Sequence, residues 1–511
     1  MAHLVPEYFG SLGDIRWAFA PVLLVLVPLY CFRKKSPPLP PGPRGLPFVG
    51  NIFDVPSENH WLKFAKLGAV WGEISSLTVF GQTIIIINSV EIAEDLLDVR
   101  GANFSDRPVL PMAGELCGFN NAFSLSDYND RVRKERRLFY KLFGNQASVK
   151  QLAPLISSEI KKFLRNLVSN PGAVLDQIGR MTGAISLRIA YGYHTSDGPE
   201  LDPYLKAYET AAVNASSASR PGAHLVDLWP ALRHWPEWLP GGGFHATARA
   251  ISKQMQETLD SGLNFAKARM AAGTAEKSFA AMLLEEAYDE FRVKWAAGTI
   301  QMAGAETSAA QIEAFFLAMA LYPEVQSAAQ EEIDAIVGGD RLPYLSDRPH
   351  LPYVDALCKE VLRWHVAGPT AVPHRTREDF IYQYEGCDLL IPKDAIVIPN
   401  IWKMTHDPRR YKDPMVFDPR RYITSEAREA EQDPTRMCFG YGRRFGRLLA
   451  DTSLFLTCSA TLAVFNISKA HKDGVVLEPR LGATSSTVSH PLPFECGVKP
   501  RSAQALELIR E

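Results

Sequence analysis

Phe439-Gly440-Tyr441-Gly442-Arg443-Arg444-Phe445-Gly446, running on into Arg447-Leu448-Leu449-Ala450, is the stretch on which the fold of this chain turns. Closely spaced glycines permit a tight turn with positive φ, and the arginines can meet carboxylates bidentately. Gly440, Gly442 and Gly446 miss the G-x-G-x-x-G spacing of a dinucleotide cradle, so nucleotide binding is not implied. The residues that follow, to about 463, carry a helical pattern.

Upstream of the loop, Phe417-Asp418-Pro419-Arg420-Arg421-Tyr422 forms a proline-led turn. Further back, Glu360 and Arg363 in KEVLRWH stand at i, i+3 and share one helix face. Most such pairs are solvated contacts worth little. If Arg421 reaches them, however, the three form a charge network that needs complete hydrogen bonding to survive burial, and its use would be to lock a loop against a helix. The longest apolar run, 293–322, is hydrophobic nearly all round and stops before Pro323, the character of a central helix in a large α domain. It contains Ala303-Gly304-Ala305-Glu306-Thr307. Gly304 is costly inside a helix. Either it is a packing glycine beside a self-satisfied threonine, or something flat lies against the backbone there and the Glu-Thr pair relays protons.

The rest of the chain frames these features. Residues 73–88 read as a hairpin about Gly81-Gln82. From about 89 to 365 the pattern is helical, with apolar i, i+3, i+4 spacing over 151–168 and 252–271. Beyond 365 come short strands and proline-punctuated loops, and no repeat is present. The predicted fold class is mainly α with a smaller β portion. A net charge of -2 over 511 residues, with no basic stripe, excludes nucleic acid as a partner. Seven scattered cysteines without a C-x-x-C pair argue against a zinc site or a disulfide framework.

Residues 17–32 are uncharged and are followed at once by Arg33, Lys34 and Lys35. The run is short against the roughly 20 residues of a full span and carries Pro21 and Pro28, but it lacks a signal-peptide cleavage site. The basic cluster belongs on the cytosolic side. Residues 1–35 are therefore predicted as a retained membrane anchor, 36–47 as a stiff proline-rich hinge, and 48–511 as the body.

The ordered set of proline-rich hinge, A-G-x-E-T helix, E-x-x-R helix, F-x-P-x-R-Y turn and F-G-x-G-R-R loop resembles the cytochrome P450 family from Pro37 onward. EVLRWH and IPNIWKMTHDP look most like fungal microsomal members serving secondary metabolism. The resemblance implies a haem monooxygenase domain over 48–511 on an endoplasmic reticulum membrane, held by a single anchor and facing the cytosol. Electrons would come from NADPH indirectly, through an NADPH–cytochrome P450 reductase docked on the basic proximal side. The implied substrate is a small lipophilic secondary metabolite, a terpenoid or polyketide. Glu306 and Thr307 would deliver protons during oxygen activation, with Ala303 and Gly304 over the haem. Arg136, His374 and Arg444 would meet the propionates. Glu360, Arg363 and Arg421 would be the structural triad. Met302, Thr370, Ala371 and Val372 would line the substrate, along with residues around 107–125 and the turn at 485–488.

One position departs from the family. Its loop reads F-x-x-G-x-R-x-C-x-G. Phe439, Gly442 and Arg444 fall in register, but Gly446 follows Phe445 directly. A two-residue deletion between Phe445 and Gly446 accounts for this and removes the axial Cys, so no metal ligand can be assigned. Cys438 lies on the other side of the loop. Val132 stands where the family carries a Trp, four residues before Arg136, which removes one propionate donor. Three readings follow: an intact enzyme whose transcript retains the two codons, a catalytically impaired homologue, and a membrane-anchored haem- or lipid-binding protein.

Overall fold

The computed structural model describes residues 37–510 except 57, 197, 199, 220–223, 427 and 443–445. The anchor expected over 1–35 lies outside the described residues, as do Arg444 and Phe445.

The sheet is built from Ile74–Val79 (β1), Gln82–Ile87 (β2), His374–Arg375 (β3) and Ile396–Pro399 (β4), in the spatial order β1-β2-β4-β3. β1 and β2 are antiparallel, with Val79 opposite Gln82. The two-residue turn between them is therefore Phe80-Gly81, one residue earlier than the sequence pattern suggested. Both residues have positive φ (46° and 83°), as the hairpin turns that match strand twist require. β2 then pairs in parallel with β4, and β3 closes the edge antiparallel to β4.

The helices that position the site are Asp130–Phe143 (α1), Gln146–Ser169 (α2), Val174–Tyr191 (α3), Glu290–Leu321 (α4), Pro352–Trp364 (α5) and Arg447–Val464 (α6). α1 starts where Asn129 accepts the Val132 N–H, and α4 where Asp289 accepts that of Arg292; both are N-caps that satisfy an orphan donor. α4 stops at Tyr322 because Pro323 cannot continue it.

Two cores result. The larger is helical and gathers α2, α3, α4 and α6, with Phe163, Phe315, Phe316 and Phe455 fully buried. Each such phenylalanine stabilises the fold by roughly 1.5–3 kcal/mol. The smaller packs the sheet against Leu96, Leu97, Phe104, Met404 and Tyr411. The glycine-rich loop is the seam between them: Cys438 and Phe439 lie on the helical core, Tyr441 on the sheet core.

The proline-rich segment is docked along the body rather than free of it. Ser76 Oγ and N–H donate to the Pro40 and Pro41 carbonyls (2.6 and 2.9 Å), and the Leu390 N–H donates to Pro38 (2.8 Å). A Cβ on Gly42 would stand 2.0 Å from the Ser76 carbonyl oxygen, so only glycine permits this approach.

Candidate active site

On α4, Ala303 is exposed although Ala297, Ile300, Gln301, Ala309 and Ala310 on either side are buried. A solvent-open alanine in the middle of a core helix marks the floor of a cleft. Thr307, one turn on, donates its hydroxyl to the Ala303 carbonyl at 2.6 Å, a back-bond that loosens the helix slightly at that point. Met302 is partly buried against the helical core. Gly304 faces elsewhere. Its missing Cβ would lie 2.9 Å from Ser186 Oγ on α3, so its small size serves the close packing of α3 on α4. Gly304 is itself only half-buried, and Ala303 lies about 100° from it around the helix.

The opposite wall comes from the segment after α5. Thr370, Ala371 and Val372 are half-buried. Ala371 adopts φ 51°, and its Cβ lies 3.5 Å from where one on Gly440 would stand. His374 is buried, its Nδ1 2.6 Å from the Phe104 carbonyl oxygen, and its ring edge lies beside Gly442. Burial, with Arg107 adding to it, holds His374 neutral with a pKa of about 3. Gly440 and Gly442 both take positive φ (73° and 81°), and the Gly442 N–H donates to Asp98 Oδ1 at 2.5 Å. Burial raises Asp98 against that hydrogen bond.

Asp98 and Arg107 were not singled out from the sequence. Arg107 donates to the carbonyls of Val372 and Pro373 (2.8 and 2.9 Å) and so braces the wall segment. Arg136 is half-buried on α1, while Val132 one turn earlier is buried.

Below the loop, Glu360, Arg363 and Arg421 form one closed network with almost no solvent exposure. Arg363 grips Glu360 with two bonds of 2.8 Å. Arg421 Nε reaches Glu360 Oε1 at 3.0 Å, the Asp418 N–H shares that oxygen at 2.9 Å, and Tyr422 supplies its hydroxyl to Oε2 at 3.1 Å. The remaining guanidinium donors of Arg363 go to the carbonyls of Thr405, Pro414 and Val416. Burial opposes the charge on Arg363, but the Glu360 carboxylate outweighs it and raises the guanidinium pKa. Complete pairing of this kind is what a buried charge cluster needs to persist.

The donor set decides whether a thiolate-ligated haem fits. An open alanine floor, a buried neutral histidine and a positive-φ glycine loop suit a flat macrocycle. The iron ligand does not follow. Cys438, the cysteine at the loop's edge, donates its thiol to the Leu362 carbonyl at 3.3 Å. Burial drives its pKa far above the usual thiol range, so it is a thiol and not a thiolate. Among the described residues no three His, Cys, Asp or Glu side chains converge as a metal site. Among the described residues the floor and walls suit a flat macrocycle, and none of them presents a thiolate to an iron.

Comparison with known proteins agrees with this architecture. The cytochrome P450 family model matches residues 40–497. Cytochrome P450 monooxygenase 208 of Postia placenta is 44% identical over 498 residues, covering 96% of each chain. The monooxygenase claR of Ampulloclitocybe clavipes is 46% identical over 495 residues, covering 96% of this chain and 91% of its own. A multifunctional cytochrome P450 monooxygenase of Aspergillus fumigatus, af510, is 34% identical over 514 residues, covering 96% and 94%.

Proposed function

The chain belongs to the cytochrome P450 family, a family of oxidoreductases, and on that footing we propose a fungal microsomal monooxygenase scaffold for a small lipophilic secondary metabolite, a terpenoid or polyketide. Electrons would reach it from NADPH through a reductase, at an endoplasmic reticulum membrane with the body in the cytosol. Support comes from the ordered motifs and from relatives that are fungal monooxygenases over nearly their whole length.

The chain with Phe445 joined directly to Gly446 is, on this proposal, catalytically impaired. A thiolate normally pushes electron density onto haem iron and favours O–O cleavage, and the one thiol near the loop is protonated and engaged elsewhere. What the chain's own residues do is the remainder of the function. Thr307 and Glu306 present a hydroxyl and a carboxylate on one segment of α4, suited to holding and passing protons. Ala303 keeps the floor of the cleft low. Met302, Thr370, Ala371 and Val372 offer an apolar lining with one hydroxyl. His374 stays neutral beside the loop and gives its Nδ1–H to the Phe104 carbonyl, which leaves Nε2 an acceptor, and Arg136 and Arg444 supply positive charge for haem carboxylates.

The observation that carries the impairment is the missing pair of residues between Phe445 and Gly446. The test is the reduced, carbon monoxide-bound spectrum of the purified protein reconstituted with haem. The chain as it stands should lack the thiolate-type band, and the same chain with Cys-Pro inserted between Phe445 and Gly446 should show it. A thiolate band from the uninserted chain would overturn the proposal, as would its absence from an inserted chain that binds haem.

A further inference from the structure

His490 stands where no family motif drew attention to it. Nδ1 lies 2.9 Å from Glu313 Oε2 and Nε2 lies 3.9 Å from Glu306 Oε1. The two glutamates are seven residues apart on α4 and therefore share a face, and His490 reaches them from the turn spanning 482–492. The 2.9 Å contact is a hydrogen bond that Nδ1–H donates to Glu313, and the Glu306 carboxylate stands at ion-pair distance from the other nitrogen, so carboxylates on both sides of the ring favour the imidazolium, whose two nitrogens both carry a proton.

The turn is fixed to the body next to this point. The Ser489 N–H donates to the Ala367 carbonyl at 2.8 Å, and His365 Nε2 lies 2.9 Å from the Ser489 carbonyl. Thr484 closes the turn internally, accepting the His490 N–H at 2.9 Å and donating its own N–H to the His490 carbonyl at 2.8 Å.

We propose that His490 is a positioning residue: as a cation it holds the Glu306 carboxylate in place beside Thr307 and clamps the 482–492 turn to α4. The assignment deepens the proposed function and rests on Glu306 as the proton-handling acid. The charged and titratable groups that bear on His490 are Glu306 and Glu313 on α4 and His365 at the end of α5. Burial holds His365 at about 4, so it is neutral and adds no competing charge at neutral pH. Burial also works against the His490 cation, but the Glu306 and Glu313 carboxylates outweigh it and raise its pKa to about 9. The clamp is thus complete below the ordinary histidine value near 6.5 and opens as pH rises through about 9.

The test is made on the full chain without added haem, which separates it from the monooxygenase reading. With ¹⁵N-labelled histidine, His490 should show both ring nitrogens protonated at pH 7 and should titrate near 9. Glu313→Gln and Glu306→Gln should each lower that value. Hydrogen exchange over 482–492, corrected for intrinsic rate, should be about tenfold faster in His490→Gln at pH 7. Wild type should lose the same protection above pH 9, and His490→Arg should keep it there. A neutral His490 at pH 7, or unchanged exchange in His490→Gln, overturns the clamp. A titration insensitive to Glu306→Gln removes Glu306 from it. A clamp that passes every arm, while the Cys-Pro-inserted chain binds haem without a thiolate band, would leave this inference standing and the proposed function fallen.

Discussion

The Glu360–Arg363–Arg421 network and the glycine-rich loop meet in space, where Cys438 at the loop's edge donates to the Leu362 carbonyl beside Arg363, yet they stand in opposite conditions. The network is closed: every oxygen of Glu360 is shared among Arg363, Arg421, Tyr422 and the Asp418 N–H. The loop keeps its glycine geometry and its Asp98 contact, but Gly446 follows Phe445 directly, without the cysteine that the family pattern places there. The difference separates what holds this fold together from what gives it chemistry. The network contributes to stability whether or not a cofactor is present, so the scaffold can persist after its reactive position has gone.

Inserting Cys-Pro after Phe445 should have the largest effect, taking the reduced carbon monoxide spectrum from no thiolate band to a full one while moving the melting temperature of the haem-free protein little. A large rise in that temperature would show that the loop does carry folding energy and would break the contrast. The reverse operation is Glu360→Gln, which leaves the buried Arg363 guanidinium without a carboxylate and Arg421 with Glu431 alone. Its cost should be about 3–5 kcal/mol, measured by chemical denaturation, with little soluble protein recovered. Gly304→Val comes next, at about 1–3 kcal/mol of overpacking against Ser186, and Ser186→Gly in the same chain should recover part of it. Raising the pH from 6.5 through about 9 should remove the stability that the raised His490 pKa contributes, since a cation favoured by folding loses its advantage as the folded form deprotonates; His490→Gln should flatten that limb of the stability curve. Cys438→Ala should do least, under about 1.5 kcal/mol, and should leave the band of the inserted chain unchanged. Loss of the band would make Cys438 the ligand and reverse the comparison.

Much of this was legible before any coordinates. The helix ending at Pro323, the hairpin and the helix after Gly446 all announce themselves, because apolar period and chain-breaking residues act locally. Glu360 and Arg363 could be paired from i, i+3 spacing alone. The arrival of Arg421, with Tyr422 and the Asp418 N–H beside it, depends on how a loop returns across the body, and spacing does not encode that. Gly304 shows the same limit. The sequence says that something comes close to its backbone, but not that the something is Ser186 on α3. Asp98, Arg107 and His490 left no local signal, since each acts on a partner hundreds of residues away. Arg444 and the anchor at 1–35 fall outside the described residues, so their expected roles stand as proposals.

The docking of the proline-rich segment bears on how the body is carried. A free stiff spacer of a dozen residues would reach about 35 Å at roughly 3.1 Å per residue and would let the body swing through a wide cone. With the Pro38, Pro40 and Pro41 carbonyls engaged by Leu390 and Ser76, that lever arm has almost no length. On the proposal that residues 1–35 anchor the chain, the body would turn about a joint beside β1, and its orientation would be set by which surface borders that joint rather than by the length of a tether.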